Sequence, residues 1–256
     1  MNLWTNNRKV LIEAFVTSGP TISSELAARG IIEHLPPRPC RIVDVGGGDG
    51  HLAIRLARMG HSLTIIDLDE DMLSIAAARL TQEPVEVRKM VHLVHGEGQQ
   101  AAALLGKSAF DLACCHSVIL YEEDPAPLMK NLVELVIPGG LASVISVNPE
   151  AAAMRSGLQG RWRDVVKTLQ SGENGDSKSL PTFEHKRQFV TNLLHDFGAE
   201  ENEWYGIGVF TDHLTGKVVV DDLEELYLAE WLAGLHDPYR RVARCFHVLA
   251  RRVPAV

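Results

Sequence analysis

The 256-residue sequence is 46% hydrophobic and 23% charged, the make-up of one large globular domain, which excludes disorder, collagen-like repeats and coiled coil as its theme. A net charge of −8 at pH 7 gives no overall attraction to a phosphate backbone and argues against nucleic acid as the partner. The opening Met-Asn-Leu-Trp-Thr-Asn-Asn-Arg has no signal-like apolar core, and no long apolar run follows, so a cytoplasmic protein without a membrane partner is expected.

In chain order, residues 1–38 read as an N-terminal helical lid, with a helix at 21–35 capped by Ser or Thr and closed before Pro36-Pro37. Arg41-Ile-Val-Asp-Val is a short β-branched run ending in glycines, the signature of a buried parallel strand. Residues 51–59 have helical spacing, with Leu52, Leu56 and Met59 on one face. A strand at 62–67 and a helix at 71–80 follow, then a strand at 91–95 and a short helix at 98–105. Phe110 to His116 reads as the fourth strand and 127–136 as a helix. Pro138-Gly139-Gly140 turns the chain into a fifth strand, Leu141 to Val147. Strand and helix alternate through 40–148, which predicts an α/β fold with a doubly wound, Rossmann-like parallel sheet.

That rhythm breaks at 149. Residues 149–186 are long, partly helical and rich in Gly, Ser and Asn around Ser171–Ser179, and 149–188 is read as an inserted substrate lid. Residues 189–256 complete the sheet through a helix at 187–197, a strand from Glu203, a helix at 222–234 and a final strand at 244–251. Four cysteines (Cys40, Cys114, Cys115, Cys245) are too few and too scattered for a disulfide framework or a metal site. Cys114 and Cys115 adjoin in a strand and point to opposite faces as small buried hydrophobes. From Pro238 onward there are five arginines and no acid, a basic stretch that reads first as solvated surface.

The turn after the first strand, Asp44-Val-Gly46-Gly47-Gly48-Asp49-Gly50, brings backbone close to a ligand where a Cβ would obstruct it. It is not a dinucleotide fingerprint, because the third glycine position holds His51, and it lacks the Lys-Ser/Thr of a phosphate-binding loop. The pattern is D-x-G-x-G-x-G, and the second strand ends in Asp67, where an acid can accept both ribose hydroxyls. A nucleoside ligand without a pyrophosphate is the inference.

Asp44 to Gly50, Ile66-Asp67-Leu68-Asp69, Gly96-Glu97-Gly98, Phe110-Asp111-Leu112 and Ile137-Pro138-Gly139-Gly140 together resemble the class I S-adenosylmethionine (SAM) dependent methyltransferases. The resemblance implies a seven-stranded sheet whose last strand is antiparallel, with 40–148 as the SAM-binding core. It also implies that Asp44, Gly46, Gly48 and Gly50 line the methionine part and Asp67 holds the ribose. Leu68 and Met72 would flank the adenine, Glu97 beside Gly98 would accept its amino group, and His116 would lie at the sulfonium end.

A more extended resemblance is to the tRNA 5-carboxymethoxyuridine methyltransferases. It rests on Asp-x-Gly-Gly-Gly, His116-Ser117-Val118 before Asp124-Pro125, Asn148, Gly206-Ile-Gly-Val-Phe-Thr-Asp212-His-Leu, Glu225 to Tyr227, and Pro238-Tyr239. The chain departs from that family at Gly208, where the pattern has an arginine, the natural clamp for a carboxylate. Residues 1–35 also match poorly.

Transfer of an activated methyl needs in-line alignment first and a base only for alcohols or phenols. His116, Tyr121, Tyr205, Asp212 and His213 are the base candidates near the strand ends, with His116 also readable as a cofactor neighbour and the tyrosines as pocket walls. Asn148 either donates to the acceptor or caps the next turn; His116, Tyr121 and Asn148 are taken as the catalytic set. His51 begins a helix, and Trp162 with Arg161 and Arg163 either closes over a substrate or sits on an amphipathic surface helix. The expected activity is methyl transfer from SAM to an oxygen or nitrogen of a small molecule. The alternatives are methyl esterification of 5-carboxymethoxyuridine in tRNA, favoured by the extended resemblance and the C-terminal arginines, and SAM binding without turnover.

Overall fold

The computed structural model describes residues 3–8, 12, 22–172, 182–214 and 222–254. Seven strands, β1 (Arg41–Val45), β2 (Ser62–Asp67), β3 (Val91–His95), β4 (Phe110–His116), β5 (Val136–Val147), β6 (Ala199–Ile207) and β7 (Cys245–Arg252), form one sheet. Their order is β3-β2-β1-β4-β5-β7-β6. β1 to β5 pair in parallel, whereas β7 lies antiparallel between β5 and β6. The doubly wound sheet with an antiparallel last strand is as expected. Ligands bind such sheets at the carboxyl ends where strand order reverses, here between β1 and β4.

Helices cover both faces. One apolar layer joins α1 (Ile22–Ile32), α2 (His51–Arg58) and α3 (Glu70–Leu80) to Ile42, Leu63 and Ile65, and takes in Trp231 of α10 (Leu223–Leu235). The other joins α6 (Ala126–Leu135) and α9 (Arg187–Asp196) to Val43, Val45 and Val144. Adjacent strand residues divide between the layers: Cys114 belongs to the first and Cys115 to the second, both fully buried. Their period of two follows from the pleat.

Three boundaries depart from the sequence reading. β5 starts at Val136, where a helix was expected to end, so Pro138-Gly139-Gly140 lies inside the strand. The cause is an irregularity in pairing: Phe110 faces Val136, Leu112 faces Leu141, and the extra residues bulge out. β6 begins at Ala199 rather than Glu203 and ends at Ile207. Its polar start, Glu200-Glu201-Asn202, is exposed because β6 is an edge strand, paired among the described residues with β7 alone. A five-residue helix, α4 (Val85–Lys89), interrupts the expected loop, and α5 spans Ala101–Leu105 after a 3₁₀ turn at Gly98–Gln100.

The inserted segment contains α7 (Ala152–Leu158) and α8 (Trp162–Ser171). Trp162 is 67% exposed and Arg161 pairs with Asp164 at 2.7 Å, the surface-helix arrangement. Of the Gly/Ser/Asn-rich stretch, 173–181 lies outside the described residues, as do 1–2, 9–11 and 13–21 of the N-terminal part.

Candidate cofactor and active site

At the carboxyl end of β1 the chain makes two left-handed residues, Gly46 (φ 70°) and Gly48 (φ 54°). A Cβ on Gly46 would lie 2.4 Å from Val118 Cγ2, so the turn both needs glycine's conformation and has no space for another side chain. The turn is stapled to β2: Gly48 N–H donates to Asp67 Oδ2 at 2.8 Å, while Asp69 N–H donates to Asp67 Oδ1 at 2.9 Å. Burial raises the Asp67 pKa and these N–H donors oppose the rise.

Asp44 is only 4% exposed, and no hydrogen bond from the described residues reaches its carboxylate. Burial, reinforced by the charges of Asp67 and Asp49, pushes its pKa up to about 7. Asp49 is compensated differently, by Arg79 at 2.9 Å.

These groups line a cleft of about 260 Å³. Leu68, Met72, His116 and Tyr121 line it as well, and Trp4 borders it from the N-terminal segment. Trp4 meets the Tyr121 ring edge-on at 5.4 Å and donates its indole N–H to Asp69 Oδ2 at 3.1 Å. Arg8 forks onto the same carboxylate at 2.6 and 2.8 Å and also pairs with Asp71. Asp69 is meanwhile the N-cap of α3, accepting from Asp71 and Met72 N–H. Residues 3–8 are thereby docked on the cleft's rim.

His116 Nε2 lies 2.8 Å from Ser143 Oγ, and Ser143 Oγ lies 2.8 Å from His247 Nε2. Burial lowers the His116 pKa to about 3 and takes that of His247 well below its ordinary value. Burial also raises the Tyr121 phenol to about 12. Both cleft residues are therefore neutral near pH 7.

Gly50, Glu97, Gly98 and Asn148 do not line this cleft. Gly50 is the left-handed N-cap of α2, packed near Ile65 and Ala76. Gly98 abuts Leu128 and Val45, where a Cβ would come within 2.7 and 2.8 Å. Glu97 is exposed, holds Gln100 at 3.1 Å, and lies near enough to the cleft residue Glu122 to help raise that carboxyl's pKa after burial and against a Gln99 hydrogen bond. Asn148 serves as a cap: its Oδ1 accepts from Glu150 N–H, and its Nδ2 donates to the Arg241 and Ala243 carbonyls at 2.9 and 3.1 Å. Away from the cleft, the Tyr205 hydroxyl is 2.7 Å from His34 Nε2 and Asp212 is 3.5 Å from Arg244. His213 Nδ1 is buried without a partner among the described residues.

Sequence reasoning missed Trp4, Arg8, Ser143, His247 and Glu230. A period-two reading signals two of them, since Ser143 and His247 are polar residues inside apolar strand runs. Glu230 is fully buried on α10 and gathers the N–H groups of Val209, Phe210 and Thr211 at 2.8, 3.0 and 2.9 Å. Nothing local marks it. Among the described residues, no His/Cys/Asp/Glu group could hold a metal ion, and no helix is long and apolar enough to cross a membrane.

The cleft suits a cationic nucleoside: a glycine turn too tight for a Cβ, an uncompensated carboxylate at Asp44, a second acid at Asp67 and an apolar wall of Leu68 and Met72. Comparison with known proteins agrees. Residues 43–144 match the methyltransferase domain family. The chain is similar to the tRNA 5-carboxymethoxyuridine methyltransferase of Escherichia coli (strain K12), 27% identical over 87% of this chain and 84% of that protein. It is also similar to a ubiquinone biosynthesis O-methyltransferase of Xanthomonas axonopodis pv. citri (strain 306), 28% identical over 49% of this chain and 51% of that one. In fold it matches a SAM-dependent methyltransferase, possible histamine N-methyltransferase, from Thermotoga maritima, with a TM-score of 0.62, 15% identity and 97% of each chain covered. Residues 43–144 thus carry a methyltransferase domain on the class I methyltransferase fold, and the protein is a SAM-dependent enzyme.

Proposed function

We propose that the protein transfers the methyl group to an oxygen or nitrogen of a small-molecule acceptor, in the cytoplasm. In this reading Asp44, Gly46, Gly48, Asp67, Leu68 and Met72 hold SAM, with Gly50, Glu97 and Gly98 shaping the turns behind them. His116 and Tyr121 face the acceptor, and Asn148 fixes the end of β5. The described part of 1–38 serves as a lid through Trp4, Ser23, Ser24 and Ala27, which line the cleft, whereas no described residue of 149–188 lines it. When bound, SAM supplies a methyl group on positively charged sulfur, so the protein's main task is alignment, worth roughly 7–11 kcal/mol of barrier.

The observation that carries the small-molecule reading is the state of the five C-terminal arginines. Arg240 and Arg241 pair with Asp237 at 3.0 and 3.2 Å, and Arg240 lies over the Trp204 ring at 4.2 Å. Arg244 faces Asp212. Arg251 donates to the Gly139 carbonyl at 2.7 Å, and Arg252 to the Val136 carbonyl at 2.5 Å. Each has a partner within the molecule, and Arg240 and Arg244 are partly covered at 21% and 29% side-chain exposure, while Arg241 and Arg251 stay exposed. Gly208 also lies at φ 76°, a conformation in which the arginine of the tRNA family pattern would be strained.

The second reading, esterification of 5-carboxymethoxyuridine in tRNA, is favoured by the likeness to the Escherichia coli enzyme over most of both chains. Incubation of the protein and a host lysate with methyl-labelled SAM, followed by fractionation, separates the two. Label among small molecules is expected; label in tRNA that ribonuclease releases overturns the proposal.

A further inference from the structure

We propose that His247, acting through Ser143, fixes His116 as the Nδ1–H tautomer, so that His116 offers the cleft a hydrogen-bond donor and no base. The sheet register builds this row. His116 on β4 and His247 on β7 both pair with Ile145 of β5, one on each side of it. Ser143 lies two residues upstream on the same face of β5, within reach of both rings. Ser143 and His247 are fully buried, and the two imidazoles meet edge-on at 5.4 Å.

The protons follow from satisfying each polar atom. His247 Nδ1 is buried and has no partner among the described residues. An orphaned N–H is rarer and more costly than an orphaned lone pair. In a neutral ring the proton therefore resides on Nε2, and His247 Nε2–H donates to Ser143 Oγ. The hydroxyl has one hydrogen of its own and two acceptors to choose from, His116 Nε2 and the thiol of Cys114, which also meets Ser143. Imidazole nitrogen is the stronger acceptor, and thiol sulfur is weak. Ser143 thus donates to His116 Nε2 and accepts from both His247 and the Cys114 S–H, which uses its one donor and both lone pairs. His116 Nε2 is then unprotonated, and the ring's hydrogen is on Nδ1.

His116 lines the cleft, so what it presents there is Nδ1–H. Resting on the reading of the cleft as the acceptor's site, His116 binds a lone-pair oxygen or nitrogen of the acceptor and orients it. Any proton that the acceptor must lose leaves by another route. His247 is a positioning residue: it touches neither cofactor nor acceptor and acts by choosing the tautomer.

The test is long-range proton–nitrogen correlation NMR at pH 7 on the full-length protein with ¹⁵N-labelled histidine rings, alone and with S-adenosylhomocysteine. His116→Gln assigns the His116 ring. The expected pattern is a protonated, pyrrole-like Nδ1 and a bare, pyridine-like Nε2 for His116, with the reverse for His247. A protonated Nε2 on His116, or an imidazolium, overturns the proposal. Ser143→Ala should move the His116 nitrogens toward the averaged shifts of a ring exchanging tautomers. Unchanged nitrogen shifts in that variant would also overturn it. The tautomer is read without turnover: Nδ1–H together with label in tRNA defeats only the small-molecule reading, and Nε2–H with label in small molecules defeats only the relay.

Discussion

Asp44 places a stability cost in the wall of the cleft. Its carboxyl is raised above its unfolded value, from 3.8 to about 7, so the folded state binds the proton more tightly. The stability this gives is fully present below pH 4 and is lost as the pH rises through about 7. Above that, an ionised Asp44 works against the fold by about 4 kcal/mol. Asp44→Asn should therefore raise the thermal midpoint by roughly 5–10 °C at pH 8 and hardly at all near pH 4. The same variant should lose at least tenfold in affinity for SAM by calorimetry, because the cation then has no ionised partner. Wild-type affinity should fall as pH drops below about 7, in step with protonation of Asp44. If the variant is no more stable at pH 8 than the parent, the carboxylate is not carrying an uncompensated charge. Asp44, Gly46, Gly48 and Asp67 were legible as a group because a turn of glycines between two acids stands at the ends of adjacent β-branched runs, and the structure brings them to one cleft. His116 was legible as a candidate beside the glycine turn, but its contact with Ser143 and, beyond it, His247 was not, since His247 lies 131 positions later in the chain.

Elements meet through a few buried charges. Glu230 of α10 takes the N–H groups after β6 on one carboxylate, with the Thr211 hydroxyl adding a fourth contact at 2.6 Å. Glu230→Gln replaces an acceptor oxygen by an NH₂ that confronts those donors, and should lower unfolding free energy by about 2–4 kcal/mol in urea titration. An unchanged midpoint would show that water holds this loop instead. At the opposite edge, Arg8 ties the N-terminal segment to the cap of α3. Arg8→Ala should weaken S-adenosylhomocysteine binding several-fold, and high salt should reduce wild type toward the variant because the pair is partly exposed. Equal affinities at low salt would remove the lid role from residues 3–8. Core strands were readable as β-branched runs buried on both faces. β6 was misplaced because an edge strand can begin on exposed acids, and β5 because its bulge reproduces a turn's composition. Glu230 and Arg8 gave no local signal, since each partners residues far along the chain.

At the scale of the whole molecule, the distribution of charge decides between a small acceptor and an RNA. A protein that neutralises phosphates releases counterions, and its log affinity falls with log salt by about 0.7 per phosphate on a single strand and about 0.9 on a duplex. A tRNA-modifying enzyme gripping five to ten phosphates therefore shows a slope of roughly −4 to −9. This chain has net charge −8, and its most basic stretch is bound internally to Asp237, Asp212 and the carbonyls of β5. Those pairs lower the arginines' availability to phosphate, most for Arg240 and Arg244, whose side chains are 21% and 29% exposed, and least for Arg241 at 69%. The expected result is micromolar or weaker tRNA binding at low salt, with a slope shallower than about −2, measured by fluorescence anisotropy between 50 and 200 mM salt. Asp237→Asn provides the control: it frees Arg241 of its ion pair, while Arg240 keeps Glu203 and Trp204, and should steepen the slope by about one if that pairing is what keeps phosphate away. A steep slope in the parent, unaltered by that substitution, would place the phosphate contacts elsewhere on the surface and move the balance to the tRNA reading.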